Sequence, residues 1–270
     1  MKRKLLTVFL LLMMALSMFS MAACSQSEPA AEPAAEETAE PVALTVSAAA
    51  SLTDALTEIQ TMYKEAAPEV TITYNFGSSG ALQQQISEGA EVDVFIAAAA
   101  KQINTLKDEG RLVDESIVDL LGNRLVLVVP ADSTAAVSKF EDAASADIAH
   151  LALGEPTSVP AGKYAEEVFT SLNMLDTIKA KAVYAKDVKE VLTWVESGNA
   201  DAGVVYLTDA INSDKVKVAA EATEESHSPI VYPAAVINTT ASPDAAQAFI
   251  DYLGSDDAKA VFEKYGFTIL

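Results

Sequence analysis

Residues 43–63 read ALTVSAAASLTDALTEIQTMY, a short β-prone run that is followed directly by a helical pattern. The β-prone run ends at Ser47, and Leu52, Leu56 and Ile59 then recur at the spacing of one helix face. Only small residues separate the two elements, so side chains leave the start of the helix uncovered. A helix N-terminus offers unpaired N–H groups and about half of a positive charge. This junction is therefore typical of an anion-binding helix start.

Three further junctions also place small or hydroxylated residues just ahead of an amphipathic helix. They are FGSSGALQQQI from Phe76, GEPTSVPAGKYA from Gly154 and AKDVKEVL from Ala185. One such helix start means little, because every helix has one. Four of them in a very acidic protein indicate a chain that binds a compact oxyanion.

Strand-like and helix-like segments alternate along the rest of the chain, which predicts an α/β fold with mainly parallel sheets. Continuous apolar runs at residues 94–97 and 125–129 are typical of strands that are covered on both faces. The length and the long apolar strands predict two lobes. The first comprises residues 43–124 and 233–270, and the second comprises residues 125–232. The helix starts lie beyond the carboxyl ends of strands, so we expect a ligand cleft between the lobes.

The N-terminal residues predict export and lipid attachment. Residues 1–23 combine three basic residues with an apolar run, as in a secretory signal peptide. Cys24 follows two small residues, as in a bacterial lipobox, although Met21 stands where that motif usually has Leu. The alternative is a chance cysteine near an ordinary cleavage site. With the acidic, Pro- and Ala-rich spacer to residue 42, these features predict an extracytoplasmic protein held at the cell membrane by a lipid on Cys24.

The net charge of the chain restricts which molecules it can bind. The chain has 39 acidic and 18 basic residues and a net charge of −21, which becomes −24 when the three positive charges of the signal peptide are removed. Such a surface argues against nucleic acid or anionic lipid as partners. It also repels small anions at long range. An anion site in this protein must therefore use short-range hydrogen bonds in a closed pocket.

Several residues at or near these junctions are candidate ligands for the anion, and each also has an ordinary structural interpretation. Ser51 could be a helix cap, and Ser78 and Ser79 could form a glycine-flanked turn. Ala161 and Gly162 could belong to a helix start led by proline. Val188 and Tyr206 could be core residues. The functional interpretation depends on the concurrence of these candidates and not on any one of them.

Enzymatic interpretations find little support. The Gly77–Gly80 turn lacks the G-x-S-x-G pattern of serine hydrolases, and neither His150 nor His227 lies beside an obvious acidic partner in sequence. The segment from Gly154 to Lys163 has the wrong spacing for a P-loop. We therefore expect a protein that is not an enzyme and that has no cofactor and no directly ligated metal cation.

From about residue 44 to residue 270 the chain resembles the molybdate-binding proteins of bacterial molybdate ABC transporters. The resemblance rests on ordered motifs along the whole domain: AAASLTDAL, FGSSGALQQQI, DVFIAA, LGNRLVLVVP, GEPTSVPAGKYA, DVKEVLTWVESGNADAGVVY, YPAAV and FEKYGFTIL. It implies a two-lobed, type II periplasmic-binding-protein fold that closes by hinge bending. It also implies molybdate or tungstate as the ligand, a membrane permease as the partner, and a monomer.

The resemblance assigns roles to five of the candidates. Hydroxyl donors would be Ser51, Ser79 and Tyr206, and backbone donors would be Ser51, Ser79, Ala161 and Val188. The chain departs from some relatives at Ala99, where they carry Asp, and at Gly80, where they carry Ser. Two alternatives stay open: a receptor of the same fold for another tetrahedral oxyanion such as sulfate or phosphate, and a secreted serine hydrolase.

Overall fold

The computed structural model describes residues 40–270. The predicted signal peptide, Cys24 and nearly all of the predicted spacer lie outside the described residues. Within residues 40–270, no helix combines the length and the apolar character needed to cross a membrane.

The described chain alternates strands and helices, as the sequence predicts. The first part contains β1 (Val42–Ala49), α1 (Thr53–Ala66), β2 (Val70–Gly77), α2 (Ser79–Ser87), β3 (Val94–Ile96), α3 (Ala100–Asp108) and β4 (Val118–Gly122). The middle part contains β5 (Leu125–Pro130), β6 (Leu151–Gly154), α4 (Pro160–Ser171), α5 (Leu175–Lys179), β7 (Ala182–Ala185), α6 (Val188–Glu196), β8 (Ala202–Tyr206), α7 (Leu207–Ala210) and β9 (Val216–Glu221). The last part contains β10 (Val231–Val236), α8 (Pro243–Leu253), α9 (Asp256–Lys264) and β11 (Thr268–Ile269).

The strands form two sheets, and each sheet is the centre of one lobe. The first sheet has the strand order β11-β4-β10-β3-β1-β2, and the second has the order β7-β6-β8-β5-β9. The chain passes from the first sheet to the second between β4 and β5, and it returns between β9 and β10. The predicted lobe boundary after residue 232 falls inside β10, because Tyr232 already pairs with Leu121 of the first sheet.

Both sheets are mixed, which corrects the expectation of mainly parallel sheets. β1 pairs in parallel with β2 and β3, and β6 pairs in parallel with β7 and β8. The other pairings, which involve β4, β5, β9, β10 and β11, are antiparallel. The reason is topological: β5 and β10 enter their sheets from the other lobe and so run against the strands of the β-α-β units.

Sequence signals account for the ends of several helices. Pro160 and Pro243 occupy the first turns of α4 and α8, where the missing N–H costs nothing. Gly198 follows α6 with φ of 70°, the left-handed conformation that glycine adopts readily. Ser242 lies at the cap position of α8, but its side chain makes no capping hydrogen bond. Continuous burial of the central strands, such as Leu125–Val129, places the core on both faces of each sheet.

Candidate functional site

The five predicted site residues line one cavity between the lobes. Ser51 and Ser79 reach it from the first lobe, and Ala161, Val188 and Tyr206 reach it from the second. The empty space among these residues is about 210 Å³, including space that is open to solvent. Only a compact ligand fits such a space.

Larger depressions lie elsewhere on the protein, for example one of about 1030 Å³ beside Asp93 and Arg111. That volume includes space open to solvent, and none of the five predicted residues contributes to it. The smaller cavity is the candidate site because its donors converge and because the predicted ligand residues in it are buried. Ser51, its most exposed predicted ligand, has only 6% of its surface accessible.

Four helix starts supply backbone N–H groups to the cavity. Ser51 lies in a 3₁₀ turn, Ala50–Leu52, between β1 and α1, and Ser79 is the first residue of α2. Ala161 is the second residue of α4, and Val188 is the first residue of α6. The N–H groups of a first helical turn have no acceptor within their own helix. Each helix follows the carboxyl end of a strand (β1, β2, β6 or β7), so their open ends meet at one place.

The hydroxyl of Ser79 is oriented so that its proton can be donated to a ligand. Its Oγ accepts a hydrogen bond from the N–H of Ala98 at 2.9 Å, and a hydroxyl that accepts there still has one proton to donate. The neighbouring Ser78 instead caps α2, since its Oγ accepts from the N–H of Ala81. Both serines line the cavity, and Ser78 also caps α2.

The hydroxyl of Ser51 is oriented by a chain of side chains that the sequence did not predict. Its Oγ lies 2.9 Å from the Tyr232 hydroxyl, which accepts from Asn123 Nδ2 at 3.1 Å. The Asn123 amide is oriented because its Oδ1 accepts from the N–H of Arg124. The Tyr232 hydroxyl can donate its proton to Ser51 while it accepts from Asn123, and in that arrangement the Ser51 proton is left for the cavity.

Tyr206 contributes a buried hydroxyl without a partner. Its side chain is fully buried at the end of β8, lines the cavity and makes no hydrogen bond to the described residues. Burial raises the pKa of Tyr206 well above its ordinary value, and the nearby Tyr232 adds to the effect. The hydroxyl therefore stays protonated. A buried polar group left unpaired is costly, so a ligand that accepts from it would remove that cost.

No lysine or arginine lines this cavity within the described part of the chain. The one ionisable carboxylate there, Asp187, accepts from the N–H of Glu190 at 2.9 Å and so caps its own helix, α6. The five predicted ligand residues thus offer neutral donors only: four backbone N–H groups and three hydroxyls. Such a set suits a ligand that only accepts hydrogen bonds.

The surroundings of the two serines do not suit a hydrolase. The Ser51 hydroxyl is paired with a phenol and that of Ser79 with a backbone N–H, so no general base contacts either one. His150 lies 3.8 Å from Asp201, and His227 packs near Tyr164. Within residues 40–270, no three His, Cys, Asp or Glu side chains converge as around a metal ion.

The structure shows the surroundings of Gly80 and Ala99, the two positions at which the chain differs from some relatives. Gly80 donates its N–H to the Ser158 carbonyl oxygen across the lobes at 2.9 Å, and a Cβ at residue 80 would lie only 2.5 Å from that oxygen. A side chain there does not fit this closed arrangement. Ala99 occupies the cap position of α3, outside the cavity lining, where an Asp would cap the helix.

Comparisons with known proteins agree with this architecture. The family description "Bacterial extracellular solute-binding protein" matches residues 44–268. A Bacillus subtilis relative named "Putative ABC transporter substrate-binding lipoprotein YvgL" is 48% identical over 78% of this chain and 80% of its own length. "Molybdate-binding protein ModA" of Haemophilus influenzae is 38% identical over 76% of this chain and 82% of its own length.

A solved structure extends the comparison to three dimensions. It is described as the "substrate binding domain of putative molybdenum ABC transporter from Clostridium difficile" and is 48% identical to this chain. The match covers 85% of this chain and 99% of that one, with a TM-score of 0.67. The chain, with its two lobes and its buried cavity between them, belongs to the family of bacterial extracellular solute-binding proteins.

Proposed function

We propose that this protein captures molybdate outside the cytoplasmic membrane and delivers it to the permease of an ABC transporter. The observation that carries the proposal is the buried cavity in which neutral donors converge and no cationic side chain takes part. The Haemophilus influenzae relative is named for molybdate binding, and the Bacillus subtilis relative for an ABC transporter. In this proposal the five ligand residues are Ser51, Ser79, Ala161, Val188 and Tyr206, and the protein is a monomer that catalyses no reaction.

Donor chemistry favours a fully deprotonated dianion. Molybdate at neutral pH carries four oxygens and no proton, so each oxygen can accept. Phosphate keeps a proton, and its O–H would find no acceptor in a site built of donors. Hydrogen bonds to a charged group contribute roughly 1.5–3 kcal/mol each. Seven of them can offset an association cost of about 4–15 kcal/mol and leave sub-micromolar affinity.

Size favours molybdate over sulfate. Helix starts built on packed strands are rigid, and a smaller tetrahedral anion in a rigid cage reaches fewer donors at once. Tungstate has nearly the size and charge of molybdate, so we expect both to bind. The proposal therefore predicts a large difference between molybdate and sulfate and a small one between molybdate and tungstate.

Titration calorimetry of the mature protein with the four oxyanions tests the proposal. We expect one molybdate or tungstate per protein with sub-micromolar affinity, and much weaker binding of sulfate and phosphate. Sulfate binding as tight as molybdate binding would overturn it.

A matched pair of serine variants tests the assigned ligands. Ser79→Ala removes a hydroxyl but keeps the backbone N–H, so we expect molybdate affinity to fall by about 1–3 kcal/mol. Ser87→Ala, at the other end of α2, removes a hydroxyl that donates to Glu109 outside the cavity and is the control. Equal affinities for the two variants would remove Ser79 from the ligand set.

We also propose that Cys24 carries a lipid that holds the protein at the membrane. The lipobox-like sequence and the lipoprotein named among its relatives support this. The mass of the protein extracted from membranes tests it, since an acylated Cys24 adds the mass of its chains. A Cys24→Ser variant should appear in the culture medium, and retention of that variant in the membrane fraction would contradict the proposal.

A further inference from the structure

Lys189 links the two lobes beside the cavity. Its Nζ lies 2.7 Å from Asp54 Oδ2, so this ion pair joins α6 of the second lobe to α1 of the first. Lys189 follows Val188 on α6, and Asp54 lies three residues after Ser51 on α1. The pair thus connects two helices whose starts supply N–H groups to the cavity.

Asp209 holds Lys189 from its own lobe. The Lys189 Nζ lies 3.6 Å from Asp209 Oδ1, and the Asp209 side chain is completely buried. Neither Asp209 oxygen has a hydrogen-bond partner among the described residues. The nearby Lys189 ammonium is therefore the main group that offsets the cost of burying the Asp209 charge. Burial lowers the pKa of Lys189, but Asp209 and Asp54 more than reverse this and leave it raised. Lys189 is therefore charged, and Asp209 anchors it to the second lobe.

We propose that Lys189 is a positioning residue for lobe closure: Asp209 holds it in the second lobe, and it pairs with Asp54 only when the lobes close over the anion. This inference rests on the proposed function. Lys189 does not line the cavity, so it acts on the anion through closure and not by contact. Separation of the lobes would break its bond to Asp54 and leave its contact with Asp209 intact.

Charge alone predicts the opposite effect of Asp54, which makes the proposal testable. Asp54 is a negative charge near an anion site, so by Coulomb's law its removal should strengthen anion binding. If Asp54 holds the lobes closed, its removal should weaken binding. The sign of the change in affinity therefore distinguishes closure from simple electrostatics.

The experiment compares Asp54→Asn with Glu58→Gln in the mature protein. Glu58 lies one turn further along α1 and pairs with Lys264 within the first lobe, so its variant removes the same charge without breaking a bond between lobes. We expect Asp54→Asn to weaken molybdate binding by about 2- to 5-fold, the range for a partly exposed ion pair. We expect Glu58→Gln to bind as tightly as the wild type or slightly more tightly. Asp54→Asn should leave the unfolding temperature of the ligand-free protein unchanged.

A Lys189→Gln background and a conservative replacement complete the test. In Lys189→Gln, Asp54 has no partner, so adding Asp54→Asn should no longer weaken binding. Lys189→Arg should keep most of the affinity, because it keeps the charge. Small-angle scattering should show less compaction of Asp54→Asn than of the wild type at a subsaturating molybdate concentration.

Two results would overturn the inference: Asp54→Asn binding at least as tightly as Glu58→Gln, or a loss that persists in the Lys189→Gln background. A wild type that prefers another oxyanion would contradict the proposed function alone, and the same comparison with that anion would still test Lys189. A wild type that binds none of the four oxyanions would overturn both.

Discussion

A methyl group at residue 80 should separate ligand affinity from folding stability. Gly80 lies in the first turn of α2 and donates its N–H to the Ser158 carbonyl oxygen of the other lobe. An added Cβ would lie 2.5 Å from that oxygen, 2.7 Å from the Ser158 Cα and 3.0 Å from its carbonyl carbon. All three contacts are with backbone, which cannot rotate away as a side chain would. In Gly80→Ala the lobes must therefore stop short of this closed arrangement.

The clash of the added methyl group with the Ser158 backbone destabilises only the closed form of the protein. Overpacking of this kind costs about 1–3 kcal/mol, and stretching the Gly80–Ser158 hydrogen bond costs a further 0.5–1.5 kcal/mol or so. Together they correspond to a loss of molybdate affinity of roughly 10- to 1,000-fold. With the lobes apart the methyl group meets solvent, and alanine in place of helical glycine stabilises by about 0.4–1 kcal/mol. The ligand-free variant should therefore unfold at the wild-type temperature or up to about 4 °C higher.

Calorimetry with molybdate and thermal unfolding without it measure the two effects separately. Gly254→Ala is the control, because its Cβ would lie 3.4 Å from the Asp251 oxygen, an ordinary contact, at the end of α8. Wild-type affinity in Gly80→Ala would show that the lobes do not meet at residue 80 around the ligand. A lower unfolding temperature without ligand would show that the clash is present before closure.

Three further variants probe the cavity and its surroundings. Tyr206→Phe removes a buried hydroxyl that has no partner, so the unfolding temperature of the ligand-free protein should stay the same or rise, while calorimetry shows about 10- to 150-fold weaker molybdate binding. Val188→Pro should cause a similar loss with an intact circular dichroism spectrum, because proline is tolerated at the first position of a helix and lacks only the N–H; wild-type affinity would remove that donor from the site. Burial raises the pKa of Asp209 to about 6 from 3.8, against the opposing influence of Lys189. The folded state therefore holds this proton more tightly, so stability falls as pH rises from about 4 to 6, by about 3 kcal/mol in total. Denaturant unfolding of Asp209→Asn between about pH 4 and about pH 7 should lack this decline, and a decline as steep as that of the wild type would contradict the reasoning.

The parts of the site that lie on local sequence patterns could be predicted. Where a strand is followed by small residues and an amphipathic helix, the first N–H groups of the helix lie beyond the end of the strand. This placement does not depend on contacts with distant parts of the chain. Ser51, Ser79, Ala161 and Val188 all follow this rule, and all four line the cavity. The α/β architecture and the two lobes follow from the same alternation, and the family match confirms them.

The parts that depend on distant pairing could not be predicted. Tyr232 reaches Ser51 only because β10 returns to the first sheet in the antiparallel direction. Asn123 reaches Tyr232 from the passage between β4 and β5, 109 residues earlier in the chain. Lys189 and Asp54 are 135 residues apart in sequence, and each looks like an ordinary exposed helix residue. Hydrophobic periodicity carries no information about such contacts, because they join polar residues on different elements.

The burial of the donors also sets the timing of ligand exchange. Ser79, Ala161 and Tyr206 are each no more than 1% exposed, so we expect an anion bound among them to leave only when the lobes separate. Its dissociation rate then cannot exceed the rate at which the lobes separate. Variants that weaken only closure, such as Gly80→Ala, should shorten the residence time while the association rate stays near its wild-type value. A permease that pulls the lobes apart would thus control the release of its own cargo.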